Sequence, residues 1–305
     1  MEGANGNGRW VLVCHGGAGR LRREANGGEL EEMRAALRRA LSDGAEILRA
    51  GGQALDAVQR AVRVMEDCPL LNAGRGSVLN EDGFVELDAA LMNGADRAAG
   101  AVAAVRTVCN PVDLAREVMR SSPHVLLVGD GAERFAAERG VALMSPDYFI
   151  TPQRRRELAR RRQGAVPEDG SSKGTVGAVA LDRSGNLAAA TSTGGMTGKR
   201  VGRVGDTPLV GAGTYAENGV CAVSATGDGE YFIRATAAAA VASRLRYGGE
   251  ELSSAARAVI DEIAGMGGEG GLIAVDAAGN LAMPFSAEAM LRGCAGQDRP
   301  PEVWL

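Results

Sequence analysis

A glycine followed by a threonine, residues 174 and 175, stands where a polar tract meets an apolar one. Upstream, Glu168-Asp169-Gly170-Ser171-Ser172-Lys173 is polar throughout. Downstream, Thr175-Val176-Gly177-Ala178-Val179-Ala180-Leu181-Asp182 reads as a buried strand, β-branched at Thr175, Val176 and Val179, and closed by the turn Asp182-Arg183-Ser184-Gly185-Asn186. If the 174–175 peptide bond is cut, Thr175 becomes an N-terminal threonine at the head of a rigid strand. Its own α-amine can then act as the base that activates its hydroxyl. An α-amine has a reference pKa of roughly 7.7–8.0, so a useful fraction is unprotonated at neutral pH. No histidine is required, which suits a chain with only two, His15 and His124. Alone, the Gly-Thr pair reads as a β-branched residue opening a strand; its neighbours overturn that reading.

Other residues carry possible chemistry. Arg203 and Asp206, three apart in a Gly-rich loop, read alone as a surface ion pair worth under about 1 kcal/mol. Beside a threonine nucleophile, a guanidinium for a carboxylate and a carboxylate for an ammonium fit the head of one α-amino acid. Glu86 and Asp88, two apart on a strand, share a face; they read as a solvated face or a hydrogen-bonded support before a metal pair. His15-Gly16-Gly17-Ala18-Gly19 reads as a tight turn, with an anion-cradling loop as the alternative. No Gly-Lys-Ser/Thr follows it, so it is not a phosphate-binding loop of the Walker kind.

Composition bounds what these residues serve. A chain of 305 residues with 45% hydrophobic content and no clear seam reads as one large domain. The net charge of −4 argues against general affinity for nucleic acid or anionic membrane. Five widely spaced cysteines, with no CxxC pair, suit free thiols in a reducing compartment. The Gly/Asn-rich residues 1–8 do not read as a signal peptide. No apolar run is long enough to cross a bilayer.

The elements that must position the chemistry follow in order. Residues 9–15 read as a strand, and 29–50 and 54–65 as amphipathic helices. Residues 68–76 form a compact hydrophobic loop, and 78–91 a hairpin around Asn80-Glu81-Asp82-Gly83. A strand at 99–108, a helix at 113–120, a strand at 124–128 and a helix at 131–139 come next. Two arginine runs, 154–156 and 160–162, flank a stretch read as a solvated helix leading into a mobile linker; without interleaved aromatics they do not argue for nucleic acid. Residues 187–192 return antiparallel to the Thr175 strand, and 208–215 and 221–226 supply two more strands. Helices at 231–247 and 253–266 precede a last hairpin at 271–285, whose Ala274-Val275-Asp276 and Gly279-Asn280-Leu281-Ala282 echo Ala180-Leu181-Asp182 and Gly185-Asn186-Leu187-Ala188. Strands in mid-chain with helices on both sides suggest two stacked sheets covered by helical layers.

Taken together, residues 174–182, Thr191-Ser192-Thr193-Gly194-Gly195-Met196, residues 202–213 (Gly202-Arg203-Val204-Gly205-Asp206-Thr207-Pro208 and onward) and Ser224-Ala225-Thr226-Gly227-Asp228-Gly229-Glu230 resemble the plant-type (type III) L-asparaginase / isoaspartyl peptidase family of N-terminal-nucleophile (Ntn) threonine hydrolases. The resemblance runs from His15-Gly16-Gly17 through Asn72-Ala73-Gly74 to the final hairpin. It implies an α/β (α+β) chain folded as a four-layer αββα sandwich, the Ntn-hydrolase fold. It implies self-cleavage between Gly174 and Thr175 into 1–174, ending in a mobile linker at 152–174, and 175–305. The implied reaction is hydrolysis of the side-chain amide of L-asparagine, or of a β-aspartyl (isoaspartyl) peptide bond, through an ester on Thr175. Carried over, Thr193 is the hydroxyl beside the nucleophile and Asn72 supports it. Arg203 and Asp206 hold the amino-acid head, and Thr226 with Gly227 forms the oxyanion hole. The resemblance further implies no cofactor for the chemistry and a structural sodium ion held by main-chain carbonyls of Met65, Glu66, Cys68, Leu71, Ala73 and Arg75. It also implies a small-molecule or dipeptide substrate and a dimer of cleaved units, while the cysteine usage and the N-terminal composition point to a cytoplasmic setting. The competing expectations are a glycosylasparaginase of the same fold and an uncleaved, inactive binding protein.

Overall fold

Strand β1 (Val11–Gly19) buries side chains on both of its faces, as a strand must when it runs through the middle of a sheet that is itself covered on both sides. The structure, a computed structural model, describes residues 8–19, 27–164 and 174–305. Residues 1–7, on which the reading of the N-terminus largely rests, and 165–173, the end of the expected linker, lie outside the described residues.

Helices α1 (Gly27–Arg49) and α2 (Ala54–Glu66) follow, then strands β2 (Leu87–Asn93) and β3 (Ala99–Val105). Helix α3 (Pro111–Ser121) opens with proline, which needs no amide partner there. Strand β4 (Leu126–Val128), helices α4 (Gly129–Glu138) and α5 (Pro152–Arg162), and strands β5 (Val176–Leu181), β6 (Leu187–Thr193), β7 (Thr214–Glu217) and β8 (Cys221–Gly227) come next. Helices α6 (Gly229–Ala235), α7 (Ala237–Gly248) and α8 (Leu252–Gly265) lead to β9 (Gly270–Asp276), β10 (Leu281–Ala282), β11 (Ala289–Gly296) and β12 (Arg299–Trp304).

The strands form two sheets. The larger runs β12-β11-β1-β5-β6-β2-β3-β4, antiparallel except for the parallel β3–β4 pair; the smaller runs β10-β9-β8-β7. Alternation along β5 and β6 assigns each side chain to a face. Val176, Ala178, Ala180, Ala188 and Ala190 pack against Leu41, Val58 and Val62 of α1 and α2. Val179, Leu181, Leu187 and Ala189 face the other way, onto Ala216, Ala222, Ile273 and Val275 of the smaller sheet. The outer face of that sheet, with Val223 and Leu272, is covered by Val241, Val259, Ile260 and Ile263 of α7 and α8. No described helix is long and apolar enough to cross a membrane.

Several expectations change. The glycines at 16–19 are not a turn: β1 continues through them, with a bulge between His15 and Ala18 against β11. The hairpin over 78–91 keeps its turn, closed by Asn80 N–H to Phe84 O at 2.8 Å, but pairing starts only at Leu87. Of 208–215 only the end is strand, because the preceding loop folds back on itself from Gly213 N–H to Asp206 O. The helix over 231–247 breaks at Thr236, whose φ of 45° is left-handed. Helix α5 is not wholly solvated. Arg154 is buried, donating from Nε to Gly76 O at 2.7 Å and pairing with Glu157, while Leu158 points inward beside it.

One close approach sets the packing of α3. A side chain at Gly100, on β3, would overlap Ala115 O and come within 2.6 Å of Met119 N, both helix backbone. Gly100→Ala should therefore destabilise the fold by about 1–3 kcal/mol, read as a lower denaturant midpoint. An unchanged midpoint would contradict this packing.

Candidate active site

Thr175 immediately precedes β5 and is 6% exposed. The β5–β6 register pairs Val176 with Ser192, which brings Thr175 opposite Thr193. Thr175 Oγ1 donates to Thr193 Oγ1 at 3.2 Å. Thr193 Oγ1 also accepts the Gly195 N–H at 3.0 Å, and its own proton goes to the Gly174 carbonyl at 3.1 Å. Asn72 supplies a second donor: its Nδ2 reaches Gly174 O and Gly195 O, each at 2.7 Å. Asn72 is itself fixed by Val78 N–H on its Oδ1 at 2.9 Å and by Gly194 N–H on its backbone carbonyl at 3.2 Å. A carbonyl oxygen held by two preorganised donors is poised to accept negative charge if its carbon is attacked.

The opposite wall comes from the smaller sheet, reached through the β1 bulge. Gly17 has a φ of 111°, and a Cβ there would lie 3.0 Å from Gly174 Cα. The next residue donates from Ala18 N to Thr226 Oγ1 at 3.3 Å, leaving the fully buried Thr226 hydroxyl its own proton to give. Gly227 follows with a φ of 145°; a side chain there would overlap Glu269 O. This is the position where only glycine fits.

His15 is the residue that sequence reasoning left idle. It is completely buried, with Nδ1 3.0 Å from Thr175 O and Nε2 2.9 Å from Ser224 Oγ. Burial lowers its pKa to about 3, so the ring is neutral at ordinary pH. The signal available in the sequence was its place at the end of the first strand, ahead of two glycines.

Arg203 and Asp206 lie on the wall that Gly229 shares. A Cβ at Gly229 would come within 2.8 Å of Asp206 Oδ1 and 3.0 Å of Arg203 Nη2. The two are not a direct ion pair among the described contacts. Arg203 instead makes a parallel fork with Glu230, from Nε and Nη2 at 2.9 Å each, a partner the sequence did not suggest. Asp206 is buried, its Oδ2 has no hydrogen-bond partner, and desolvation raises its pKa to about 7. Glu86 and Asp88 are buried supports, as one reading had it. The Glu86 carboxylate accepts Asn80 Nδ2 at 3.1 Å and Gly202 N–H at 3.0 Å, its carbonyl accepts Lys199 Nζ at 2.9 Å, and Asp88 Oδ1 accepts Ala104 N–H at 2.8 Å. They thereby hold the strand and the loop that lead to Arg203. Among the described residues no group of three or more His, Cys, Asp or Glu could hold a metal ion.

The loop from the end of α2 to Gly76 carries the six expected carbonyls. Those of Cys68, Leu71 and Ala73 each accept one backbone amide, from Leu71, Ala73 and Gly76, and that of Met65 accepts two, from Asp67 and Cys68. A carbonyl has two lone pairs, so those of Cys68, Leu71 and Ala73 each retain one. A side chain at Gly76 would overlap Leu71 O and lie 2.7 Å from Cys68 O, so those two oxygens converge because residue 76 has none. Likewise Gly74 admits Glu66 O, 2.5 Å from where its Cβ would be.

The sequence model of the family described as Asparaginase matches residues 8–305. An isoaspartyl peptidase of Salmonella typhimurium is 51% identical over 94% of this chain and 96% of its own. One from Escherichia coli is 51% identical over 95% of this chain and 94% of its own. The isoaspartyl peptidase/L-asparaginase of Bos taurus is 44% identical over 92% and 91% respectively.

Asp206 makes the site costly to the fold in a pH-dependent way. Its folded-state pKa is raised from 3.8 to about 7, so ionising it opposes folding. That penalty is absent below about pH 4, grows as pH rises between the two values, and is complete above about pH 7. Asp206→Asn should therefore melt several degrees higher than the parent near pH 8, with the difference fading toward pH 4. A difference independent of pH would contradict the buried, unpaired carboxyl.

Proposed function

The chain belongs to the asparaginase family, and from that membership we propose that it hydrolyses the side-chain amide of L-asparagine and the β-aspartyl bond of isoaspartyl peptides, releasing L-aspartate. The observation that carries the reading is the junction at Thr175, where the hydroxyl contacts Thr193 and the preceding carbonyl is held by Thr193 and Asn72. The layering of α1–α3, the two sheets and α7–α8 supports a four-layer αββα sandwich of the N-terminal-nucleophile kind.

In this reading the chain first cuts itself. Thr175 Oγ attacks the Gly174 carbonyl carbon, and the charge gathering on that oxygen meets the Asn72 and Thr193 donors. The C–N bond breaks as the nitrogen takes the hydroxyl proton, leaving an ester between Gly174 and Thr175 Oγ. Water hydrolyses the ester to a Gly174 carboxylate and a free Thr175 with its α-amine. That amine then takes the hydroxyl proton when Thr175 attacks the side-chain carbonyl of the substrate. Thr226 Oγ1–H and Gly227 N–H stabilise the oxyanion, and the leaving ammonia or amine carries the proton away. A second water releases aspartate from the ester.

Asparagine and a β-aspartyl peptide present the same head, a free α-amine and α-carboxylate. Asp206 takes the ammonium, whose charge draws its carboxyl into the ionised form. Glu230 holds Arg203 by its Nε edge, so the guanidinium is fixed before the substrate carboxylate arrives. One site serves both substrates because they differ only in the leaving group.

The head requirement is testable with blocked substrates. β-Aspartyl dipeptides should be cleaved, and their N-acetylated or α-amide counterparts should not. Losing a hydrogen bond to a charged group costs roughly 1.5–3 kcal/mol, and each 1.36 kcal/mol is about tenfold. Arg203→Ala should therefore lower kcat/KM by tens of fold or more, and Arg203→Lys should also fall. Blocked peptides cut as fast as free ones would replace this reading with a general amidase.

The loop 65–76 suits a sodium-sized ion. Its glycines let carbonyl oxygens converge, and a hard monovalent cation takes oxygen ligands without displacing their amide bonds. Met65, Glu66, Cys68, Leu71, Ala73 and Arg75 would hold it by backbone carbonyls, for structure only. Exchanging sodium for tetramethylammonium should lower the melting temperature by several degrees, reversibly on adding sodium back. No shift would remove the site.

A further inference from the structure

His15 makes two hydrogen bonds that no step of the proposed reaction uses, and they belong to a longer chain. Ser224 Oγ lies 2.9 Å from His15 Nε2 and 2.7 Å from Thr191 Oγ1. Thr214 Oγ1 in turn donates to Thr191 Oγ1 at 2.7 Å and lies 3.1 Å from the carbonyl of Thr207, the residue after Asp206. Every hydroxyl in the chain is fully buried, so none of these bonds is exchanged for water.

One atom sets the direction of all of them. Thr175 O can only accept, so His15 Nδ1 carries the proton and donates it. In a neutral ring Nε2 must then accept, so Ser224 donates to it. Ser224 has no proton left for Thr191, and Thr191 donates to Ser224. Thr191 is therefore not the donor to Thr214, and the proton runs from Thr214 toward Thr191. A second proton on the ring would reverse Ser224 and break the sequence, and burial keeps the ring neutral.

The strand has been left open for this bridge. A side chain at Gly177, two residues beyond Thr175 on β5, would overlap both Ser224 Oγ and His15 Nε2. The glycine in Gly174-Thr175-Val176-Gly177 thus has a φ-independent reason: it makes room for the imidazole that reaches the Thr175 carbonyl from β1 and for the Ser224 hydroxyl bonded to that imidazole.

We infer that His15 is a positioning residue for the nucleophile: its imidazole ties the carbonyl of Thr175 to the hydroxyl chain that ends beside the Asp206 loop, and so fixes where the threonine hydroxyl and amine stand. The inference rests on Thr175 being the nucleophile. The Thr175 carbonyl shares a Cα with the amine and the side chain. Holding it fixes the plane of the peptide to Val176, and with it the Cα from which amine and side chain project, at a residue that, once cleaved, has lost its covalent tether on the N-terminal side. Misplacing reacting groups by about 1 Å can cost roughly a hundredfold in rate. His15 does not act as the base, since its Nδ1 proton is committed to Thr175 O and its Nε2 lone pair to Ser224.

Two substitutions separate the halves of the bridge. An asparagine amide can replace Nδ1, and a glutamine amide reaches toward Nε2. His15→Asn keeps the donor to Thr175 O, whereas His15→Gln keeps the Ser224 link and loses the clamp. For L-asparagine hydrolysis, His15→Gln should lower kcat roughly ten- to a hundredfold with KM little changed, and His15→Asn should stay within a few fold of the parent. The rate of self-cleavage should fall in the same order. The acid limb of the kcat–pH profile, which belongs to the Thr175 amine, should keep its position in both. Equal losses in the two variants would mean that His15 only fills space. A limb that moves or disappears would make His15 the base; either result overturns the inference. Should His15→Gln not fold, Ser224→Ala takes its place: it keeps the Nδ1 donor on Thr175 O and removes only the link beyond the ring, so its kcat should stay within a few fold of the parent, and a loss of ten- to a hundredfold there would overturn the inference too. A parent protein that hydrolyses neither substrate sinks the proposed function alone, and the order of self-cleavage rates then decides the role of His15.

Discussion

The Gly174 carbonyl oxygen is the point on which the structure turns. It accepts Asn72 Nδ2–H and Thr193 Oγ1–H at 2.7 and 3.1 Å, and the same Thr193 oxygen accepts the hydroxyl of Thr175. Three separate parts of the chain must meet for this to happen. Asn72 comes from the compact loop after α2, Thr193 from the end of β6, and the junction itself from the entry to β5. The supporting bonds, Val78 to Asn72 and Gly194 to Asn72, add no chemistry but leave Asn72 little freedom. Gly194 is a glycine for a steric reason, since a Cβ there would lie 2.5 Å from Ser77 Cβ and 2.7 Å from Asn72 Oδ1.

The second constraint is burial of polar groups around this point. His15 is kept neutral, and Asp206 is kept near the edge of ionisation with one oxygen unpartnered. Such groups oppose the stability of the fold, and the hydrophobic layers on either side of both sheets must offset them. The two sheets meet through Val11, Val13, Val179 and Leu181 on one side and Ile273 and Val275 on the other. Beside that apolar contact the β1 bulge carries His15, Gly17 and Ala18 from Thr175 on the larger sheet to Thr226 on the smaller. Thr175 and Thr226 therefore sit on different sheets, and packing between sheets sets their distance.

Much of this was legible in the sequence where the signal was local. The β5–β6 hairpin, helices α1, α2 and α8 and the β9–β10 echo followed from periodicity and turn residues; the Thr175 and Thr193 hydroxyls lie 3.2 Å apart, and Asn72 reaches the carbonyl of Gly174. What the sequence concealed depends on distant partners. Strand β11 is short on β-branched residues and contains Gly293 and Gly296, yet it pairs along β1; Gly293 is needed because a Cβ there would come within 2.5 Å of Glu302 O and 2.8 Å of Leu41 Cδ1. Strand β12 carries Pro300 and Pro301, which only an edge position tolerates. The glycines at 16–19 imitated a turn because a bulge uses the same residues. Glu230 was invisible as the partner of Arg203, 27 residues away, because nothing in the spacing distinguishes it from any other acid in a first helical turn.

The central claim is that Thr175 is an N-terminal nucleophile released by its own hydroxyl. Intact mass and N-terminal sequencing of the purified protein, with Thr175→Ala beside it, tests this most directly. The account predicts two associated fragments, 1–174 and 175–305, the second beginning at Thr175, and a single uncut, inactive chain for the variant. A variant that still splits between residues 174 and 175, or that hydrolyses asparagine while uncut, would contradict it.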